Sequence, residues 1–266
     1  MEQLFKECCD FIDAEYKRLG HTLGYRFFLC PRCLLNPKTR ILYLGLNPGG
    51  KEDLAEHPRT SCENGTAFFT ESWKNNAPGT ENLQVQTQLL FEKLRNHLGI
   101  HGAATREFAD SHILSAYFIP FRSDSWESLP KKTESIKSAS KLWEKIFSYW
   151  MPTYIITLGR DNYIQIEKFL LKNSFTTSSI EDIPAGWGSY SHQVRTFYRK
   201  GQTIYLGTLL HLSHYSIMGK AKYAPAVDDF LTKMHLKLKY ILRPETSIQG
   251  MPFSPSSPVI DPMSGF

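Results

Sequence analysis

An α/β fold, in which a mostly parallel sheet is covered by helices on both faces, is what this sequence predicts. Short apolar runs alternate along the chain with longer stretches whose apolar residues recur at helical intervals. Runs such as Ile41-Leu42-Tyr43-Leu44 and Tyr154-Ile155-Ile156-Thr157-Leu158 are apolar at consecutive positions, as in a strand buried on both faces. Two of the runs also end in polar loops at the carboxyl side of the strand, where open α/β sheets bind ligands.

Residues 3 to 19 read as an amphipathic helix, with Phe5, Cys8 or Cys9, Ile12, Tyr16 and Leu19 near one face. A loop over 30 to 38 leads into a strand at 41 to 46. Residues 47 to 80 hold Gly, Pro, Asn and Thr with little periodicity, and so long an irregular segment is more often functional than idle. A helix follows over 83 to 98, marked by Leu83, Leu90, Leu94 and Leu98. Strand 113 to 119 ends at Pro120-Phe121-Arg122-Ser123. The helix over 131 to 149 buries Ile136, Leu142, Trp143, Ile146 and Phe147. Strand 154 to 158 stops at Gly159, and a helix runs on to about 171. Residues 192 to 199 and 203 to 209 read as neighbouring strands, and a last helix covers 224 to 241. With no internal repeat, residues 1 to 242 read as one domain. Residues 243 to 266, rich in Pro and Ser, read as a mobile tail.

The chain has 266 residues, 41% of them hydrophobic and 13% aromatic, enough for a sizeable core. Its apolar runs fall short of the roughly 18 to 20 residues that span a bilayer, and the first residues lack a signal-peptide pattern, so a cytoplasmic protein without membrane contact is expected. The formal charge of +5 is compatible with a polyanionic partner but selects none. Five cysteines in a reducing compartment predict no disulfides. Cys30-Pro31-Arg32-Cys33 has half the ligands of a metal site, but no second C-x-x-C follows and no cysteine lies beyond Cys62. Neither a metal nor another cofactor is expected.

Two loops remain: Gly45-Leu46-Asn47-Pro48-Gly49 after the first strand, and His211-Leu212-Ser213-His214-Tyr215-Ser216 after the last. Either alone is explained by turn chemistry, since Asn-Pro-Gly ends strands and Ser caps turns. Together, each at a strand end, they call for a joint explanation. In order, spacing and strand context they resemble the first and last motifs of the uracil-DNA glycosylase superfamily, over about residues 40 to 220. The first matches the Asn form of that motif; the last matches its His-Pro-Ser-x-x-Ser loop except that Leu212 stands for Pro.

The resemblance implies a three-layer α/β/α domain with a central, mostly parallel four-stranded sheet. It also implies a monofunctional glycosylase that flips a pyrimidine out of DNA and hydrolyses its N-glycosidic bond. In that reading Asn47 holds the attacking water and His211 donates a hydrogen bond to the pyrimidine O2. Gly45, Leu46, Pro48 and either Phe68 or Phe69 build the base pocket, Phe68 and Phe69 being equally explicable as core. Tyr215 is the wedge that fills the vacated stack. Ser213, His214, Ser216 and Lys220 contact DNA, Lys220 being equally explicable as a solvated surface lysine. Tyr117 stands near the place where several branches carry an Asn that reads uracil. An amide both donates and accepts, whereas a phenol offers one hydroxyl and bulk. Arg122, Ser123 and Asp124 lie beside it, either in the pocket or in a surface turn. A modified base is therefore expected, for example glucosylated hydroxymethylcytosine of phage DNA, with uracil or mismatch repair second. The alternatives are a catalytically inactive sensor of modified DNA, or a small-molecule-binding α/β protein. DNA is the expected partner, and no obligate protein partner is expected.

Overall fold

The computed structural model describes residues 1–52 and 57–237. The expected Pro/Ser-rich tail and the last turn of the helix expected to reach 241 lie outside the described residues. Among the described residues seven strands form one sheet: β1 (Ile41–Gly45), β2 (Ile113–Tyr117), β3 (Tyr154–Leu158), β4 (Thr176–Thr177), β5 (Glu181–Pro184), β6 (Ser191–Arg199) and β7 (Gln202–Leu209). Their order is β2-β1-β3-β7-β6-β4, with β5 also paired to β6. The strands β2, β1, β3 and β7 run parallel to one another, which is the four-stranded core expected. The sheet is larger than that core. β6 returns antiparallel to β7 through the two-residue turn Lys200-Gly201, whose positive φ angles of 47° and 78° suit a tight hairpin. β4 and β5 add to β6 as short, mostly exposed edge strands without an apolar run to announce them.

Among the described residues seven helices cover the sheet: α1 (Glu2–Leu19), α2 (Ala67–Thr70), α3 (Asn82–His97), α4 (Thr105–His112), α5 (Lys132–Tyr149), α6 (Arg160–Lys172) and α7 (Ala224–Lys233). Alternate residues of each parallel strand point to opposite faces. Leu42, Leu44, Leu114 and Ile155 pack with α1, α5 and α6 in one core. Ile41, Tyr43, Ile113 and Ile156 pack with α3, α4 and α7 in the other. The result is three layers, α/β/α. In α5 the buried stripe takes Ser135 and Ala139 with Leu142, Trp143 and Ile146, and Ile136 is only partly buried.

Local signals fix the helix ends. Gly20 closes α1 in the left-handed region, at φ 70°, where a side chain would be strained. Glu81 and Gln84 form a reciprocal capping box at the start of α3. α7 ends at Lys233, earlier than its apolar pattern suggests, with His235 at φ 50° just beyond. No described helix is long and apolar enough to cross a membrane.

One core residue predicts an acid-sensitive fold. His192 of β6 is fully buried beside Phe230, and neither ring nitrogen has a hydrogen-bond partner among the described residues. Burial alone lowers its pKa to about 4 from an ordinary 6.5. Between those values the unfolded chain binds a proton that the folded chain refuses, so stability falls as pH drops from 6.5 towards 4. The full effect is about 3 kcal/mol. Urea unfolding of the wild type and His192→Leu should show a stability difference that shifts in favour of the variant below pH 6. A difference independent of pH would refute the assignment.

Candidate active site

The loops after β1 and β7 come to the same edge of the sheet. In register, Leu44 of β1 lies beside Thr157 of β3, and Leu158 of β3 beside Leu209 of β7. Only β3 stands between the loops, so two strand spacings, roughly 10 Å, separate them. Gly159 ends β3 there with φ 78°, a conformation that favours glycine. Its backbone N–H donates to the Leu209 carbonyl. A Cβ on Gly159 would lie 3.4 Å from Cδ2 of His211, an ordinary van der Waals contact, so the imidazole packs directly on this strand end. Asn162, in the first turn of α6, donates from Nδ2 to the Leu44 carbonyl and ties the helix to the end of β1.

The first loop is held by its neighbour. Beyond β1 and β2 the backbones keep pairing: Phe118 N–H donates to Gly45 O, Ile119 N–H to Leu46 O, and Ser123 N–H to Pro48 O. Arg122, itself buried, donates from Nη1 to the Gly49 carbonyl. Asn47 donates its amide hydrogens to Ser123 Oγ at 2.8 Å and Pro48 O at 3.2 Å. Those bonds fix the orientation of the carboxamide. No donor among the described residues reaches its Oδ1, which is left to accept from a small molecule.

The last loop is a turn anchored from below. Leu212, in place of a proline, is fully buried. His214 and Tyr215 N–H both donate to the His211 carbonyl. From α3, Asn82 Nδ2 donates to Ser213 O at 3.3 Å and Asn82 Oδ1 accepts from Ser216 Oγ at 3.1 Å. One helical turn on, Gln86 Oε1 accepts from Met218 N–H at 2.9 Å. Asn82 and Gln86 hold this loop, and the sequence pattern did not single them out.

His211 is largely buried, and Ser213 N–H donates to its Nδ1 at 3.4 Å, with Ser213 Oγ 2.7 Å from the same atom. A backbone N–H can only donate, so Nδ1 is the acceptor and the ring proton sits on Nε2. Burial, with a smaller push from His214, lowers the imidazole pKa to about 4. Near neutral pH the ring is therefore uncharged and offers Nε2–H as its one donor.

The wall beside Gly45 is polar and charged. The Tyr117 ring lies flush on Gly45, since a Cβ there would meet Tyr117 Cδ1 and Cε1 at 2.7 Å. Burial raises the phenol pKa against the pull of Arg26 and Arg122, so it stays protonated. Arg26 and Glu71 form a buried ion pair, 4% and 10% exposed. Trp73 Nε1 donates to Glu71 at 2.9 Å; Cys62 accepts from Arg26 and donates to Glu71, both at 3.2 Å. His57 Nε2 donates to the Ser72 carbonyl 4.0 Å from the same carboxylate. This cluster draws on residues 26, 57, 62, 71 and 73, and nothing in the local sequence announces it.

The other expected residues are placed as follows. Phe68 is buried edge-on to Tyr43, Phe91 and Trp73, whereas Phe69 lines a crevice with Val85, Gln88 and Leu89. Ser213 and Ser216 spend their hydroxyls on His211 and Asn82. His214 and Lys220 are exposed. Cys30 is buried with its thiol bonded to the backbone of Ser115, while Cys33 is exposed. Among the described residues no three His, Cys, Asp or Glu side chains are grouped to hold a metal ion. No family model matches the chain, and no curated protein is found to be similar to it.

Proposed function

We propose that the chain is a monofunctional DNA glycosylase acting on a non-canonical or modified pyrimidine. The observation that carries the reading is the His211 tautomer: an uncharged imidazole, its Nδ1 occupied by Ser213, points its only donor away from the loop that holds it. On the same sheet edge Asn47 keeps an unengaged carboxamide oxygen. In the proposed reaction the C1′–N bond breaks, the pyrimidine leaves as an anion, and His211 Nε2–H stabilises the charge on O2. Asn47 Oδ1 orients a water whose oxygen bonds to C1′. An amide does not take up a proton near neutral pH, so the rate rests on how well the leaving base is stabilised. The water's proton passes to solvent and the departing base acquires one there.

Support for a modified base comes from the wall. Tyr117 covers Gly45, and two buried guanidiniums, Arg26 and Arg122, flank it. The Tyr117 phenol offers one hydroxyl where an amide would both donate and accept, which fits a base other than bare uracil. A sugar-decorated cytosine is such a base, and uracil or a mismatched base ranks second. The test is base release from a panel of DNAs containing uracil, a mismatch, hydroxymethylcytosine or glucosylated hydroxymethylcytosine. The expected result is abasic sites on one substrate, lost in Asn47→Ala. Base-selective binding without product on any DNA would replace the enzyme with a sensor of modified bases. No salt-dependent DNA binding at all would replace both with a small-molecule protein.

A further inference from the structure

Beside the last loop the structure carries an aromatic surface that the reaction above does not use. Ala185-Gly186-Trp187-Gly188-Ser189-Tyr190 joins β5 to β6. The loop is closed by Ala185 N–H donating to Tyr190 O and Tyr190 N–H to Trp187 O. Gly186 and Gly188 have φ of 72° and 55°, so the chain doubles back and both aromatic side chains reach the His211 loop. Trp187 stacks on Tyr223 with centroids 5.4 Å apart and meets Tyr215 edge-on at 5.5 Å. Tyr190 leans on Tyr215 at 5.5 Å and is 52% exposed. Trp187 is thus fixed between neighbours, and Tyr190 is the ring offered outward.

The stretch of chain that carries this surface is basic. Between Asp182 and Asp228 the chain contains no acidic residue but holds Arg195, Arg199, Lys200, Lys220 and Lys222. Lys220 Nζ lies 6.0 Å over the Trp187 ring and Lys222 Nζ 5.3 Å over the Tyr223 ring, both side chains being exposed. Lys220 and Lys222 border the aromatic cluster, whereas Arg195 is engaged with Glu167. A partner that suits this surface presents a flat π-face and a row of negative charges. An unstacked nucleobase in a DNA strand has both; in a duplex the π-face is hidden by its neighbours.

Resting on the glycosylase reading, we propose that Tyr190, backed by Trp187 and Tyr215, stacks an unpaired nucleobase next to the flipped nucleotide while Lys220 and Lys222 take its phosphates. The protein then binds single-stranded or locally opened DNA in preference to a closed duplex. The surface continues the proposed site, because Tyr215 belongs to both.

The experiment is fluorescence-anisotropy titration of a labelled oligothymidine and of a blunt duplex of equal length, alongside base release from the substrate found above. Because Tyr190 is half exposed, Tyr190→Ala should fold. It should weaken single-strand binding about tenfold, the loss of one stacked base, and leave duplex binding unchanged. Tyr190→Phe, which keeps the ring, should bind as the wild type does. Base release with unchanged single-strand binding in Tyr190→Ala overturns the stacking surface and leaves the enzyme reading standing. Tyr190-dependent single-strand binding with no base released from any DNA supports the surface and overturns the enzyme. Equal loss on both DNAs in Tyr190→Ala also overturns the proposal, since it points to charge or folding rather than stacking.

Discussion

His211→Ala is expected to slow base release by about a hundred- to a thousandfold, the loss that follows removal of one donor to a developing oxyanion. The wild-type rate should also stay level from pH 8 down to about pH 5. The pKa of His211 is lowered to about 4 by burial and by His214, so the imidazole does not titrate in that range. Ser213→Ala should cost less than His211→Ala. It removes the hydroxyl beside Nδ1 but keeps the backbone N–H that also fixes the tautomer. Single-turnover rates across pH, wild type beside the variants, decide the matter. A transition near the ordinary histidine pKa that vanishes in His211→Ala would show that the ring is not held neutral by its surroundings.

The largest effect on stability should come from Glu71. Its carboxylate would be driven up by burial, yet Arg26 and the Trp73 N–H hold its pKa below the usual value. Glu71→Ala leaves the Arg26 guanidinium, 4% exposed, without a counter-charge. Breaking a buried pair on one side costs about 3–5 kcal/mol. For a chain of this size that lowers Tm by on the order of 10 °C. Replacing both partners, as in Arg26→Leu with Glu71→Met, should be much milder than either single change, because neither charge is then stranded. Thermal unfolding of the two single variants and the double closes the cycle. Additive losses would mean that the pair is not coupled as its geometry indicates. The pair also carries a pH signature: a lowered carboxyl pKa stabilises the fold above the unfolded value of about 4.3, and that contribution fades as pH falls below it.

The parallel core was legible because its strands are apolar at consecutive positions. β1 and β3 lie within a residue of where Ile41-Leu42-Tyr43-Leu44 and Tyr154-Ile155-Ile156-Thr157-Leu158 put them. α4 went unread because its eight residues bury only Phe108 and Ala109, too few to establish a period. β4 and β5 are recruited by the free edge of β6 and not by their own residues, which are mostly exposed. Within the candidate site, Asn47 and His211 could be proposed from the sequence because each sits in a short motif after a strand. Arg26 and Glu71 were not, being 45 positions apart in irregular segments joined only by tertiary packing. Gln86 falls inside the helix read over 83 to 98 and Asn82 just before it, and nothing in their residue types shows that the last loop lies against them. Tyr190 left a faint trace, an aromatic following two closely spaced glycines.

The anchoring of the last loop to α3 bears on the entropy of substrate capture. Asn82 and Gln86, one helical turn apart, grip the loop at Ser213, Ser216 and Met218, and Leu212 is driven into the core beneath it. A free six-residue loop would have to be ordered each time a ligand arrived, at roughly 1–2 kcal/mol per residue. Here that ordering is completed when the helix folds. In the proposed reaction the imidazole is then already aimed before encounter, and binding energy would be left to distort the DNA rather than to assemble the protein.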